Sequence, residues 1–164
     1  MKKSIQYYIF IFFLGAISGW CGEVIFNLIV NNKLVNPGTL FLCWCPIYGI
    51  AAVVIDLITK KEYKWWKNAL IIAVVSTIDE YLAAVISEEI FNNQLWDYSN
   101  YFLNFQGRIC LGMTVLFVVA GLFAVYVILP RTEKFYKKYS KVINKLNYVL
   151  VTIFLLNIVV ESIL

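Results

Sequence analysis

The candidates among the ionisable side chains inside otherwise apolar runs of this chain are Glu23, Asp56, Asp79, Glu80, Arg108 and Glu161. Each costs about 2.5–3.5 kcal/mol on membrane-insertion scales, so each demands a partner or a wet cavity. Glu23, Glu80 and Arg108 are the informative ones. Glu23 follows Gly19 by four residues, on a stripe of small side chains formed by Gly15, Ser18, Gly19 and Gly22. Such stripes let helices approach closely, so Glu23 should face protein rather than lipid. Glu80 lies on a second stripe, with Ala69, Ala73, Ser76, Ala84 and Ser87. Asp79 points about 100° away from it. We expect Glu23, Glu80 and Arg108 to meet. Two carboxylates against one guanidinium leave one net negative charge, or one carboxyl protonated. That cluster is either an ion pair fixing helix register or a site for a cation, a proton or a polar substrate. The residue types leave both open.

Trp44, Tyr48 and Asp97 complete the candidate set. Asp97 sits in the string Trp96-Asp97-Tyr98-Ser99, where an aspartate can cap a short segment by accepting from backbone N–H groups. A binding lid is the alternative. The chain has no histidine, which excludes Ser-His-Asp and Cys-His catalysis, HExxH zinc sites and haem with a histidine ligand. Cys21, Cys43, Cys45 and Cys110 could in principle form a thiolate site. Free cysteine is more often a small apolar filler, and we expect no metal and no cofactor. With no activated nucleophile in view, we expect no enzyme.

These residues must be held by membrane-spanning helices. Of 164 residues, 62% are hydrophobic and 15% charged, against about 25% charged in soluble domains. A span needs about 20 apolar residues. The apolar runs fall at about 5–30, 40–58, 69–91, 107–129 and 148–164. The expectation is a single transmembrane domain, an all-α bundle of about five helices. The first run continues well past the length of a signal-peptide core. Pro46 and Gly49 should break the second run or make it re-entrant. Pro130 should end the fourth. No repeat is evident, and five spans do not divide into equal halves, which argues against an inverted-repeat transporter.

Twelve Lys and Arg flank one side of these runs, whereas Lys33 and Arg108 alone fall on the other. Positive loops stay inside, so the N-terminus is expected in the cytoplasm and the C-terminus outside. The net charge of +4 therefore marks topology rather than a nucleic-acid partner. The segment 131–145 has a helical stripe of Phe135, Tyr139, Val142 and Leu146, with lysines on the other faces. It reads as an amphipathic helix on the inner headgroups, or as a cytoplasmic extension of the fifth run. As a topology anchor it needs nothing more; as a docking helix it would take a cytoplasmic partner.

Several strings, in order, resemble a known family. They are Gly19-Trp20-Cys21-Gly22-Glu23-Val24, Cys45-Pro46-Ile47-Tyr48-Gly49, Glu80-Tyr81, Trp96-Asp97-Tyr98-Ser99 and Asn104-Phe105-Gln106-Gly107-Arg108-Ile109-Cys110-Leu111. Together they are similar to the small bacterial membrane proteins named type IV ABC-transporter permeases (CmpB-like), over about residues 18–129. The chain departs from that pattern at Pro37 and at Leu42-Cys43. The resemblance implies a multi-pass protein of the bacterial plasma membrane and, by family name, a permease subunit. Its ATPase would be a separate chain. The loop at 59–67 is short for coupling to one, which leaves 131–145 as the docking segment. The alternative is a membrane scaffold, sensor or accessory subunit with structural ion pairs. Either could form a homo-oligomer in the lipid bilayer.

Overall fold

A computed structural model of the protein describes residues 3–34, 36–37 and 42–163. Among the described residues the fold is all-α apart from one short ribbon. Helix α1 spans Ile5–Asn31, α2 Pro46–Ile58, α3 Trp65–Phe91, α4 Leu111–Phe123 and α5 Leu129–Ile163. Strands β1 (Asn104–Phe105) and β2 (Ile109–Cys110) pair antiparallel just before α4. Among the described residues, three helical stretches are long and apolar enough to cross a membrane: Ile5–Ile29, Trp65–Ile90 and Leu111–Glu161.

Local chemistry sets the helix ends. The Ser4 hydroxyl caps α1 by accepting from the Tyr7 N–H at 3.2 Å. Asn32 and Asn92 close α1 and α3 in the left-handed conformation, at φ 51° and 48°, a role asparagine fills because its short polar side chain tolerates that region. Pro46 is the first residue of α2, where a missing N–H leaves no extra bond unmade. The break expected at Pro46 is thus a helix start. Residues 40 and 41, where the second apolar run was expected to begin, lie outside the described residues. At 13 residues, α2 is about 20 Å long, short of the roughly 30 Å hydrocarbon core.

Pro130 does not end the fourth helical run, contrary to expectation. The run passes through it by way of a π-helical turn, Ala124–Ile128. Proline cannot donate to the carbonyl four residues back and crowds it. Widening the preceding turn relieves this: Leu129 N–H donates to Ala124 O. The Arg131 guanidinium takes the Val127 carbonyl at 2.7 Å. A second interruption comes at Tyr139, whose φ of −115° and ψ of 20° kink α5.

The chain packs as two compact units, residues 1–53 with 132–164, and residues 54–131. In the first, α1 packs on α5 around Phe13, Ala16 and Trp44, backed by Leu150, Val151 and Phe154. Asn147 Nδ2 donates to the Gln6 carbonyl at 2.7 Å, and the rings of Phe13 and Phe154 are 5.9 Å apart. The order of these contacts makes α1 and the latter part of α5 parallel. Helix α2 crosses α1 antiparallel and very closely. A Cβ added at Gly15 would lie 2.8 Å from Ala52 Cβ, and one at Gly19 would lie 2.3 Å from the Tyr48 ring. The small-residue stripe therefore works as expected at Gly15 and Gly19. Gly22 has nothing within 4 Å of its added Cβ.

In the second unit α3 and α4 are antiparallel, with Ile55, Ile72 and Val125 at the centre. The Thr77 and Thr114 hydroxyls meet at 3.3 Å, and Gly121 admits Ile72. Asn68 is fully buried, yet its amide is satisfied by the Lys60 carbonyl and the Tyr126 hydroxyl, both at 2.9 Å.

Candidate functional site

The first unit contains irregular backbone beside a long apolar helix. Lipid offers such backbone no hydrogen bonds, so it persists at membrane depth only where protein satisfies it. Here Cys45 N–H donates to Ala16 O at 3.1 Å, and Trp44 N–H to Leu42 O at 2.8 Å. Asn157 of α5 supplies the rest. Its Oδ1 accepts from the Trp44 indole N–H at 3.0 Å and from the Leu42 N–H at 3.4 Å. Trp44 is 4% exposed and wedged between Phe13 and Phe154. It is a packing residue that holds the segment leading into α2.

One turn into α2, the Tyr48 hydroxyl donates to Glu23 Oε1 at 2.5 Å. The geometry follows from the stripe. Gly19 lets the Tyr48 ring lie flat on α1, so the phenol reaches a carboxylate one turn farther along. Glu23 is half-buried. An acceptor carboxylate, a phenol and the start of a short helix thus share one place, an arrangement able to hold and release a proton or bind a polar group. The buried Cys45 adjoins it.

Arg108 belongs to the second unit. It stands at the turn of the β1–β2 ribbon, where Gln106 and Gly107 have φ of 55° and 68°. Glycine is needed at 107: a Cβ there would lie 2.8 Å from Asp97 Oδ1 and 2.7 Å from Ser99 Oγ. The guanidinium binds Glu88 through Nε at 2.9 Å and Nη2 at 2.6 Å. Nη1 takes Gln106 Oε1 at 2.8 Å and the Tyr81 hydroxyl at 3.4 Å. The hydrogen bond to Glu88 holds the Arg108 pKa above its usual value. The Arg108–Glu80 pairing expected from sequence is therefore replaced by Arg108–Glu88. Glu80 lies eight residues, about 12 Å, earlier in α3, whereas Glu88 is level with the ribbon. Glu80 does face protein, at 2% exposure on a buried stripe with Ser76, Ala84 and Ser87. Glu23 sits in the first unit, with Tyr48.

Asp97 Oδ1 accepts from the Ser99 N–H at 2.8 Å and the Ser99 hydroxyl at 2.5 Å. These bonds pull its pKa below the ordinary carboxylate value. The aspartate caps the loop, which the Trp96 indole ties to Arg108 O at 2.8 Å.

Sequence reasoning overlooked Glu88 and Asn157. Glu88 was legible as a partner of Tyr81, seven residues earlier and so on the same helix face. Asn157 was legible as the amide in the run Phe154-Leu155-Leu156-Asn157-Ile158, a polar outlier of the kind that marks helix contacts in membranes.

A family model described as "Putative ABC-transporter type IV" matches residues 10–162. No curated protein and no solved structure shows significant similarity to the chain.

Proposed function

The chain belongs to this ABC-transporter type IV family, and from that premise we propose that it is the membrane-embedded permease subunit of a transport system. It crosses a bacterial plasma membrane five times, N-terminus inside, and depends on a separate ATPase chain. Helix directions support this path, since α1 opposes α2, α3 opposes α4, and α5 ends parallel to α1. The stretch Leu111–Glu161 has 51 residues, about 77 Å of helix, enough for two crossings separated by the basic segment 131–145. The observation that carries the reading is the short α2, which begins at Pro46 beside the Glu23–Tyr48 pair. Interrupted helices next to an ionisable group recur at transporter binding sites. The ATPase docks at 131–145, and the chain performs no catalysis itself.

A scaffold or accessory role is the second reading. The closed hydrogen-bonding of Arg108 with Glu88, Tyr81 and Gln106 favours it. Purification of the tagged protein from its native membrane in mild detergent tests the two. Mass spectrometry would identify co-purifying chains, with ATP hydrolysis assayed in the same sample. A stoichiometric ATPase supports the permease. A clean chain without ATPase sinks it and leaves the scaffold.

A further inference from the structure

The loop between α3 and α4 is stitched together by one of its own asparagines and leaves its large apolar side chains exposed. From Tyr98 to Gly107 it holds no charged residue. Asn104 Nδ2 donates to the carbonyls of Ser99 and Tyr101, both at 3.0 Å, and its Oδ1 accepts from the Gly107 N–H at 3.2 Å. The Tyr98 N–H donates to Gly107 O at 2.7 Å, and the Tyr101 N–H to Tyr98 O at 2.8 Å. Around this frame Phe102 is 78% exposed, Leu103 65%, and Tyr101 and Phe105 each 55%. Leu103 stands at φ 50°, a region that leucine enters only where the surrounding structure dictates it. Apolar side chains gathered on one exposed tip mark a contact with protein or membrane.

Contacts fix the height of this tip along α3. The Phe105 ring lies 5.9 Å from that of Tyr81, the Tyr81 hydroxyl donates to Gln106 Oε1 at 2.9 Å, and Arg108 holds Glu88. The ribbon therefore folds back beside α3, between Tyr81 and Glu88, instead of standing beyond the helix end at Phe91. At the other end of α3, exposed Trp65 and Trp66 follow Lys60, Lys61 and Lys64, the pattern of an inner headgroup boundary. About 20 helical residues, or 30 Å, cross the hydrocarbon. Counted from Trp65, they end near Ala84, level with the ribbon. Helix α4 agrees: it opens at Leu111, directly after the ribbon, and its Thr114 meets Thr77. The tip thus stands where hydrocarbon gives way to the outer headgroups, the level at which aromatic belts form.

We infer that the loop 98–107 is an interfacial anchor: Phe102 and Leu103, flanked by Tyr101 and Phe105, insert among the lipids of the outer leaflet. This rests on the reading above that α3 and α4 cross a bilayer. The partner is the boundary between acyl chains and headgroups. Backbone bonded within its own loop can lie there, because it asks little of the lipid.

Spin labelling of the full chain in phosphatidylcholine nanodiscs tests it, with the exposed Cys21 and Cys43 replaced by serine. Nitroxides are attached one at a time: at Phe102→Cys, at Ile78→Cys on the exposed side of mid-α3, and at Gln94→Cys, exposed beyond the helix end. Oxygen concentrates in lipid and nickel-EDDA in water. The ratio of oxygen to nickel-EDDA collisions should be severalfold higher at 102 than at 94, approaching the ratio at 78. Should Phe102→Cys fail to fold, Leu103→Cys reads the same tip. A label at 102 that matches the one at 94, while 78 reads lipid, would overturn the inference and leave the membrane reading standing. A label at 102 shielded from both reagents would overturn it too, since a second chain or another part of this one would then cover the tip. Water at 78 as well as at 102 would sink the membrane reading and the inference with it. Absence of an ATPase leaves the result untouched.

Discussion

The phenol of Tyr48 donates to the Glu23 carboxylate across 25 residues of chain, at 2.5 Å. The contact joins the short second helix to the first, and it exists because Gly19 has no side chain to hold the ring away.

Tyr48→Phe keeps that ring and removes the hydroxyl. It should lower stability by about 1.5–3 kcal/mol, the range for a hydrogen bond to a charged group. Glu23→Gln keeps an acceptor and should stay within about 1 kcal/mol of wild type, while removing a titrating group. Thermal unfolding in detergent reads the first effect. A growth or uptake assay reads the second: loss of function in a stable Glu23→Gln protein makes the pair functional, and full activity makes it structural.

Two glycines on the same stripe should behave oppositely. Gly19→Ala drives a methyl into the Tyr48 ring and should cost about 1–3 kcal/mol, as overpacking does. Gly22→Ala meets open space and should stabilise α1 by about 0.5–1 kcal/mol through helix propensity. Equal effects in thermal melts would mean that α2 does not lie against Gly19.

Arg108 and Glu88 should couple. Arg108→Gln and Glu88→Gln should each lower the melting temperature, and the double variant should lose less than the two losses combined. Arg108→Gln with Glu80→Gln should instead be additive, because the guanidinium contacts are made to Glu88, Gln106 and Tyr81. Coupling to Glu80 would contradict the placement of the ribbon.

The loop holding Asp97 should open in acid. Its folded-state pKa is depressed by the Ser99 hydroxyl and N–H. The stabilisation is therefore present above the unfolded carboxylate pKa and lost as pH falls through the lower folded value, below about 4. The Trp96 indole N–H, bonded to Arg108 O, is a natural reporter by NMR. Its resonance should titrate in wild type and stay flat in Asp97→Ala.

Much of this protein was legible in its sequence. Apolar length alone gave the long helices α1 and α3, since about 20 apolar residues have few other folds in hydrocarbon. Spacing of small residues gave the close face of α1 at Gly15 and Gly19, because residues four apart share a helix face. Asn32, Asn92 and Asp97 carried their local roles in their own side chains. What sequence could not decide was which polar groups meet. Glu80 and Glu88 lie on the same helix, and charge does not distinguish them. The height of the ribbon beside α3 gave Arg108 to Glu88. Likewise Pro130 looked like a stop, and only a π turn and the Arg131 side chain let the helix continue. Period and composition are local and survive in the chain as written. The distance between two charges is a property of packing, and tertiary structure alone sets it.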